Sequence, residues 1–178
     1  MKHFFHPQVN GQTCGIAALA TFAARCGQLP AYADPKQAEA IQLRLHQVAS
    51  RVGVPWPRAL GTSPWALAHL ASAASGVQYR AVPWNGRTAC LLDEAVAANA
   101  DTFLYVGGAG RPLDRFVPRH VVVVLGAESA GRVGSYAVFE PSSGAVYDVA
   151  VSTVRDGSSA GVAAFGNWRH VLAAVVPG

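Results

Sequence analysis

The hydrophobic pattern of this chain changes its period partway along, and this change constrains the fold more than any other feature. Between residues 13 and 76 the apolar side chains recur every three or four positions, as in amphipathic helices. From residue 77 onward, short runs rich in valine and aromatic residues stand between turns, as in strands. Helices followed by an antiparallel sheet define an α+β fold. We expect a single domain over residues 1–178, with a helical half over about 1–100 and a sheet half over about 101–178.

Helices in the first part are predicted from their ends as well as from their apolar spacing. Three segments qualify, over residues 13–24, 35–53 and 64–76, because each begins behind a residue that caps helices and stops at a glycine. The capping residues are Thr13, Asp34 and the Thr62-Ser63 pair, and the glycines are Gly27, Gly53 and Gly76. Pro35 and Pro64 support the last two helices, since proline favours the first helical turn.

The second part of the chain is predicted to form a sheet. The pattern indicates six strands: Val77–Pro83, Thr102–Val106, His120–Leu125, Ser135–Glu140, Ala145–Val149 and Trp168–Val176. A short helix over Thr88–Ala98 separates the first two strands. The turn Pro141-Ser142-Ser143-Gly144 joins the fourth and fifth as a hairpin, because these residue types favour tight turns.

The charge pattern excludes some partners. The formal net charge is +4, and twelve of the fourteen basic residues are arginines. They are scattered from Arg25 to Arg169 without a run, so we expect no nucleic-acid partner. No stretch reaches about 18 uninterrupted apolar residues, so we expect no membrane insertion. The first residues contain no apolar signal region, which predicts synthesis in the cytoplasm and leaves signal-independent export open.

The chain has three cysteines, Cys14, Cys26 and Cys90, an odd number without CxxC spacing. A disulfide framework or a structural zinc site needs more ligands at closer spacing. We therefore expect free thiols in a reducing compartment.

One of these cysteines lies where a helix is predicted to begin. Cys14 follows Thr13 in the segment PQVNGQTCGIAAL, and Gly15 leaves space beside the sulfur. The N–H groups and the dipole of a first helical turn favour the thiolate, which is the reactive form of cysteine. The alternative is that Cys14 is a small buried apolar side chain, which is common for cysteine.

A thiolate nucleophile needs a base, and His120 is the best-placed of the six histidines. It opens an apolar strand directly after a long loop rich in glycine, where a rigid scaffold presents a side chain at the edge of a cleft. The other histidines lie near the N-terminus, within predicted helices or in the last strand: His3, His6, His46, His69 and His170.

A third group orients the imidazole in such pairs. The strand SYAVFE ends in Glu140, and antiparallel pairing with the strand of His120 would bring the two side chains together. Asn167, Asp148 or a backbone carbonyl is the alternative orienting group.

Three short pieces of the chain, PQVNGQTCGIAAL, PRHVVVVLG and VFEPSSGAVYDV, resemble one family. They are similar to the bacterial peptidases of the papain-like superfamily that process bacteriocin leaders at a double glycine. In that family a glutamine lies six residues before the nucleophile, the histidine begins a strand, and a D-P-x-x-G turn supplies the acid. The resemblance implies a papain-like α+β fold in which Cys14 is the nucleophile, His120 the base and Gln8 the oxyanion-hole glutamine. Glu140 stands where the family has aspartate.

The resemblance also implies amide chemistry on a peptide or protein substrate, with no metal or organic cofactor. Gln12 is the alternative to Gln8 for holding the oxyanion. The same residues serve a glutamine deamidase, as in some bacterial effectors, or an acyltransferase, and a binding module can keep such a fold without chemistry. The segments GTSPW, at 61–65, and GGAGRPLDRF, at 107–116, are predicted to form the rims of the cleft.

Overall fold

The structure is a computed structural model that describes residues 4–108, 118–156 and 163–178. These residues have an α+β fold, as the sequence predicts. The α-helices are α1 (Cys14–Arg25), α2 (Pro35–Ala49), α3 (Pro64–Ser75), α4 (Gly86–Ala97), α5 (Gly126–Ser129) and α6 (Val151–Arg155). The strands are β1 (Tyr79–Pro83), β2 (Thr102–Gly107), β3 (Pro118–Val124), β4 (Ser135–Glu140), β5 (Ala145–Ala150) and β6 (His170–Pro177).

The six strands form one sheet in the order β1-β6-β2-β3-β4-β5. Every neighbouring pair is antiparallel. The last strand of the chain, β6, lies between β1 and β2, so β1 joins the sheet only through β6. The predicted turn at 141–144 does join β4 to β5, with Glu140 opposite Ala145.

Helices cover both faces of this sheet, because side chains alternate along each strand and both sets are apolar. In β2, Phe103 and Tyr105 pack with residues of α1 and α3. Leu104 and Val106 point to the opposite face, where they pack in a cluster that includes Leu92 of α4. Strand β3 is in the middle of the sheet. Its first residues lie at the edge of the core, near the start of α1.

Helix α1 approaches the sheet closely because it is rich in small residues. Ala17, Ala18 and Ala20 are fully buried. A Cβ at Gly15 would lie 3.0 Å from the Cβ of Thr62 and 3.5 Å from a methyl group of Val121. Glycine is therefore needed where α1 passes between β3 and the segment before α3.

Some predicted boundaries differ from the observed ones. Helix α2 ends at Ala49 rather than near Gly53, because the next N–H groups bond carbonyls only three residues back, as in the pair Arg51 to Val48. Helix α4 begins two residues before Thr88, because the side chain of Asn85 caps it. The short helices α5 and α6 were not predicted, since four or five residues show no helical period.

Candidate active site

Cys14 is the first residue of α1 and is 6% exposed. The preceding Thr13 is the N-cap by position, but its side chain does not cap the helix. Its hydroxyl instead accepts from the Asn10 N–H at 3.0 Å and donates to the Asn10 carbonyl at 3.1 Å. The first-turn N–H groups therefore have no side-chain cap, and the positive end of the helix acts on the Cys14 sulfur.

The structure brings His120 and Glu140 together on adjacent strands. The atoms His120 Nε2 and Glu140 Oε1 lie 2.6 Å apart, and the two residues are 5% and 2% exposed. The β3–β4 ladder pairs Val123 with Phe139. Glu140 follows Phe139, and because the strands are antiparallel this step brings it toward His120. The two side chains are thus diagonal neighbours on one face, which a long side chain can bridge.

The imidazole of His120 also interacts with Cys14. Burial by itself lowers the pKa of His120, but hydrogen bonds with Cys14 and Glu140 and the charges of both outweigh it and raise the pKa to about 9. Since Nε2 contacts Glu140, Nδ1 is the ring nitrogen left to face the sulfur. An imidazole held in this way carries its second proton at neutral pH.

The Glu140 carboxylate is fixed by the turn that follows it. The N–H of Ser142 donates to Oε1 at 2.7 Å, and the N–H of Ser143 donates to Oε2 at 2.8 Å. Burial by itself raises the pKa of Glu140, but the bond from His120 and those from the two serines lower it to about 2. Glu140 is therefore an anion over the whole physiological range.

Gly166 packs directly against the His120 ring. A Cβ at this position would lie 2.9 Å from His120 Cδ2 and 3.1 Å from Nε2. Its φ of +59° also favours glycine. The ring is thus confined from one side by a backbone that leaves no room for a side chain.

Cys14 and His120 line a cavity of about 590 Å³. Its other described lining residues are Gly11, Gln12, Trp56, Ala59, Leu60, Gly61, Thr62, Pro64, Trp65, Tyr105, Pro118, Arg119, Val121 and Trp168. Four of the five residues in the predicted rim 61–65 are among them. Positions 109–116 of the second predicted rim lie outside the described residues.

The two candidate oxyanion glutamines lie in different places. Gln12 lines the cavity beside Cys14. The amide of Gln8 donates to the Asn10 carbonyl at 2.8 Å and accepts from the Ser142 hydroxyl at 3.3 Å. Among the described residues, Gln8 belongs to a second, smaller cavity rather than to this one. Of the two glutamines, only Gln12 therefore shares a cavity with Cys14.

The sequence offered Asp148 and Asn167 as alternative groups to orient His120, but Glu140 occupies that place. Asp148 is 61% exposed and pairs with Arg132 at 3.0 Å. Asn167 has a φ of +64° in the turn before Trp168, whose side chain reaches the cavity. Glu140 is therefore the group that the structure provides for the imidazole.

Sequence reasoning missed several residues that shape the site. Trp56 was not assigned to the cleft, although it stands between two prolines, where a loop can present a side chain at a binding surface. The backbone donors of Ser142 and Ser143 have no sequence signature beyond the turn itself. The contact of Gly166 with His120 is visible only in three dimensions.

No protein-family model matches the chain, and a search of curated proteins finds no match either. Across the parts of the chain described above, no helix is long and apolar enough to cross a membrane. The same residues contain no group of three or more His, Cys, Asp or Glu side chains arranged to hold a metal ion. Functional inference therefore depends on the geometry of the site and on the three motifs.

Proposed function

We propose that this protein is a papain-like cysteine hydrolase that cleaves an amide or peptide bond through a thioester on Cys14. The observation that carries the proposal is the buried His120 imidazole, which bonds the Glu140 carboxylate and lines the same cavity as Cys14, a residue whose interaction with the ring helps to raise the pKa of His120. A sulfur, a base and a carboxylate in this order are the arrangement that nucleophilic catalysis requires.

The resting pair is the Cys14 thiolate and the His120 imidazolium. The sulfur attacks the carbonyl carbon, and the C=O electron pair moves to the oxygen. The Cys14 N–H and a glutamine amide, from Gln12 by geometry or Gln8 by resemblance, hold that oxyanion. The C–N bond then breaks, and the leaving nitrogen takes the proton from His120.

Water resolves the thioester in the second half of the reaction. His120, now neutral, accepts one proton of the water as its oxygen attacks the acyl carbon. The C–S bond breaks, the acid is released, and the thiolate–imidazolium pair is restored. Glu140 acts as a positioning residue throughout, since it fixes the ring and stabilises its positive charge.

The free state of the cysteines supports the proposal that the protein is in a reducing compartment. All three cysteines, Cys14, Cys26 and Cys90, are unpaired. A free nucleophilic thiol is retained where glutathione and thioredoxin keep thiols reduced, so we propose a protein that is made in the cytoplasm, with signal-independent export as the alternative.

Competitive alkylation tests the nucleophile without knowledge of the substrate. Cys14 is buried, whereas Cys26 and Cys90 are exposed, so accessibility alone makes Cys14 the slowest to react. An activated Cys14 should instead react with iodoacetamide at pH 7 at least about tenfold faster than either, because the thiolate is the reactive form. Mass spectrometry of the digested protein measures the three rates.

Two histidine variants complete this experiment. His120→Ala removes the imidazolium and should abolish the advantage of Cys14 over the exposed cysteines. His69→Ala changes an exposed histidine of α3 and should leave the three rates as they are. A wild-type Cys14 that reacts more slowly than Cys26 and Cys90 would mean that it is a buried structural thiol.

A further inference from the structure

The walls of the cavity beside Cys14 are mostly apolar and aromatic. Trp56 and Trp65 contribute rings that meet edge to face, with centroids 5.0 Å apart. Trp168 reaches the same cavity from the turn before β6. A volume of about 590 Å³ is in the range of cavities that enclose a sizeable ligand group.

The described walls offer no carboxylate to a ligand. The ionisable groups there other than the Cys14 thiol are Arg119, the His120 ring and the Tyr105 phenol. A cationic side chain entering the cavity would therefore find no carboxylate partner on these walls. A lysine or arginine of a substrate is therefore disfavoured here.

The apolar surface continues out of the cavity onto the rim. Leu60 lines the mouth and is 63% exposed, and Trp65 is 41% exposed. Val54, 68% exposed, lies beside Trp65, whose Nε1–H donates to its carbonyl at 3.4 Å. Grouped large apolar side chains on a surface mark a site that something covers, whereas single ones do not.

Two polar atoms on the walls are buried without a hydrogen-bond partner among the described residues. They are the Thr62 hydroxyl and the Trp56 indole Nε1–H. Thr62 is 7% exposed, and the Tyr105 hydroxyl fixes its backbone by donating to its carbonyl at 2.9 Å. Both atoms have almost no accessible surface, so they add no polar contact to the walls, which stay predominantly apolar.

We propose that this cavity binds a bulky apolar side chain, aromatic or branched aliphatic, of a peptide substrate. The proposal rests on the function proposed above, because Cys14 and His120 line the same cavity and the side chain must belong to a residue within two positions of the scissile bond. A glycine, as at the double-glycine sites of the resembling family, would leave the cavity unfilled.

Protection of Cys14 from iodoacetamide tests the cavity without requiring turnover. The probes are the N-acetyl amides of phenylalanine, leucine, glycine and arginine, each titrated against the alkylation rate of Cys14. We expect the phenylalanine and leucine amides to protect at concentrations at least about tenfold lower than the glycine and arginine amides, because only they bury apolar area. Equal protection by all four, or stronger protection by the glycine or arginine amide, would overturn the proposal.

Two leucine variants make the measurement specific to the cavity. Leu60→Glu places a charge at the mouth and should raise the half-protecting concentration of the phenylalanine amide several-fold. Leu43→Glu changes an exposed leucine of α2 outside the cavity and should not alter it. Indistinguishable effects of the two variants would count against this cavity as the binding site.

The two proposals fail in different ways. The relative rates of the three cysteines without any probe decide whether Cys14 is an activated nucleophile. The dependence of protection on the probe decides what the cavity binds, and it is measurable even for a slowly reacting thiol. A fast Cys14 with no preference among the four probes would remove the substrate proposal and leave the hydrolase proposal standing.

Discussion

His120 and Glu140 are buried ionisable residues that shift each other's pKa in opposite directions. The imidazole is charged up to about pH 9 because two partners, Cys14 and Glu140, favour its proton despite burial. The carboxylate is charged down to about pH 2 because His120 and two backbone N–H groups favour its anion. Each residue therefore favours the charged form of the other at neutral pH.

Substitution of Glu140 by glutamine should lower the pKa of His120. The amide of Glu140→Gln has the same shape but no negative charge, so one of the two groups that favour the imidazolium is lost. NMR titration of the imidazole C–H signals measures this, with about 9 expected in the wild type and a clearly lower value in the variant. Asp148→Asn, on an exposed carboxylate, is the control. A wild-type His120 that titrates near 6.5, like a free histidine, would contradict the buried pair.

The two glutamines give a second test at the residue scale. Loss of one oxyanion donor costs about 10²–10³ in kcat. Because Gln12 lies on the cavity wall and Gln8 is bonded to Asn10 and Ser142, we expect Gln12→Ala to lose this factor and Gln8→Ala to lose much less. Steady-state kinetics on a cleaved peptide compares them. The reverse order would restore the assignment of Gln8 that the family resemblance implies.

At the scale of elements, the offset between β3 and β4 explains how Glu140 reaches His120. The ladder ends at Val123 and Phe139, so Glu140 and His120 are diagonal rather than directly opposite. A diagonal partner is further away than a direct one, and glutamate is one methylene longer than aspartate. The length of Glu140 thus suits this register, and the turn at 141–144 holds its carboxylate in place.

The turn that carries Gly166 should tolerate no side chain. In Gly166→Ala the new Cβ would lie 2.9 Å from the His120 ring, so we expect the ring to move and the Cys14 alkylation advantage to fall sharply. Gly131→Ala is a matched control, because Gly131 also has positive φ but an added Cβ would meet nothing within 4 Å. Both variants should lose about 1–2 kcal/mol of stability from the left-handed backbone, measured by urea unfolding. Equal alkylation in both would show that Gly166 does not position His120.

At the scale of the whole molecule, Arg25 at the end of α1 forms ion pairs with two segments that are distant in sequence. Its guanidinium contacts Asp101, before β2, at 2.7 Å and Glu128, in α5, at 2.5 Å. Asp101 is 6% exposed and also accepts from the Gly126 N–H at 2.9 Å. This cluster lies at the opposite end of α1 from Cys14, so it anchors the far end of that helix.

Removal of Arg25 should therefore destabilise the fold. Arg25→Ala leaves the buried Asp101 without its counter-ion, which costs roughly 3 kcal/mol, near the low end for buried pairs because Arg25 is 18% exposed. Arg132→Ala breaks the exposed pair with Asp148 and should cost less than about 1 kcal/mol. Urea unfolding at pH 7 compares the two. Similar costs would mean that Asp101 does not need the charge of Arg25.

The stability of the molecule should also fall at alkaline pH. The pKa of His120 is raised on folding, so its contribution is fully present below the unfolded value, about 6.5, and is lost as pH rises through about 9. Glu140 contributes above its unfolded value and loses this only as pH falls toward 2. Unfolding free energies at pH 6 and pH 9.5 should differ more in the wild type than in Glu140→Gln. An equal difference in both proteins would exclude the His120–Glu140 pair as its source.

The sequence by itself determined the local elements and their order. Helix starts, the six strands and the hairpin after Glu140 are encoded by caps, side-chain period and turn residues, which act over a few neighbouring positions. The position of Cys14 at a helix start follows from the same local signals, whereas His120, predicted to begin its strand, is the third residue of β3, which starts at Pro118. Boundaries were less well predicted, because helix ends such as that of α2 depend on how the last turn tightens.

Only the tertiary structure decided which of these residues meet. The sequence predicts that the strands of His120 and Glu140 pair, but the diagonal contact of the two side chains depends on the register of β3 and β4. The cavity is lined by Trp56, Trp65 and Trp168, and the last of these reaches it because β6 inserts between β1 and β2. The choice between Gln8 and Gln12 likewise depends on the path of the chain before α1. These are long-range relations, and their physical cause is the packing of α1 and the sheet around a shared core.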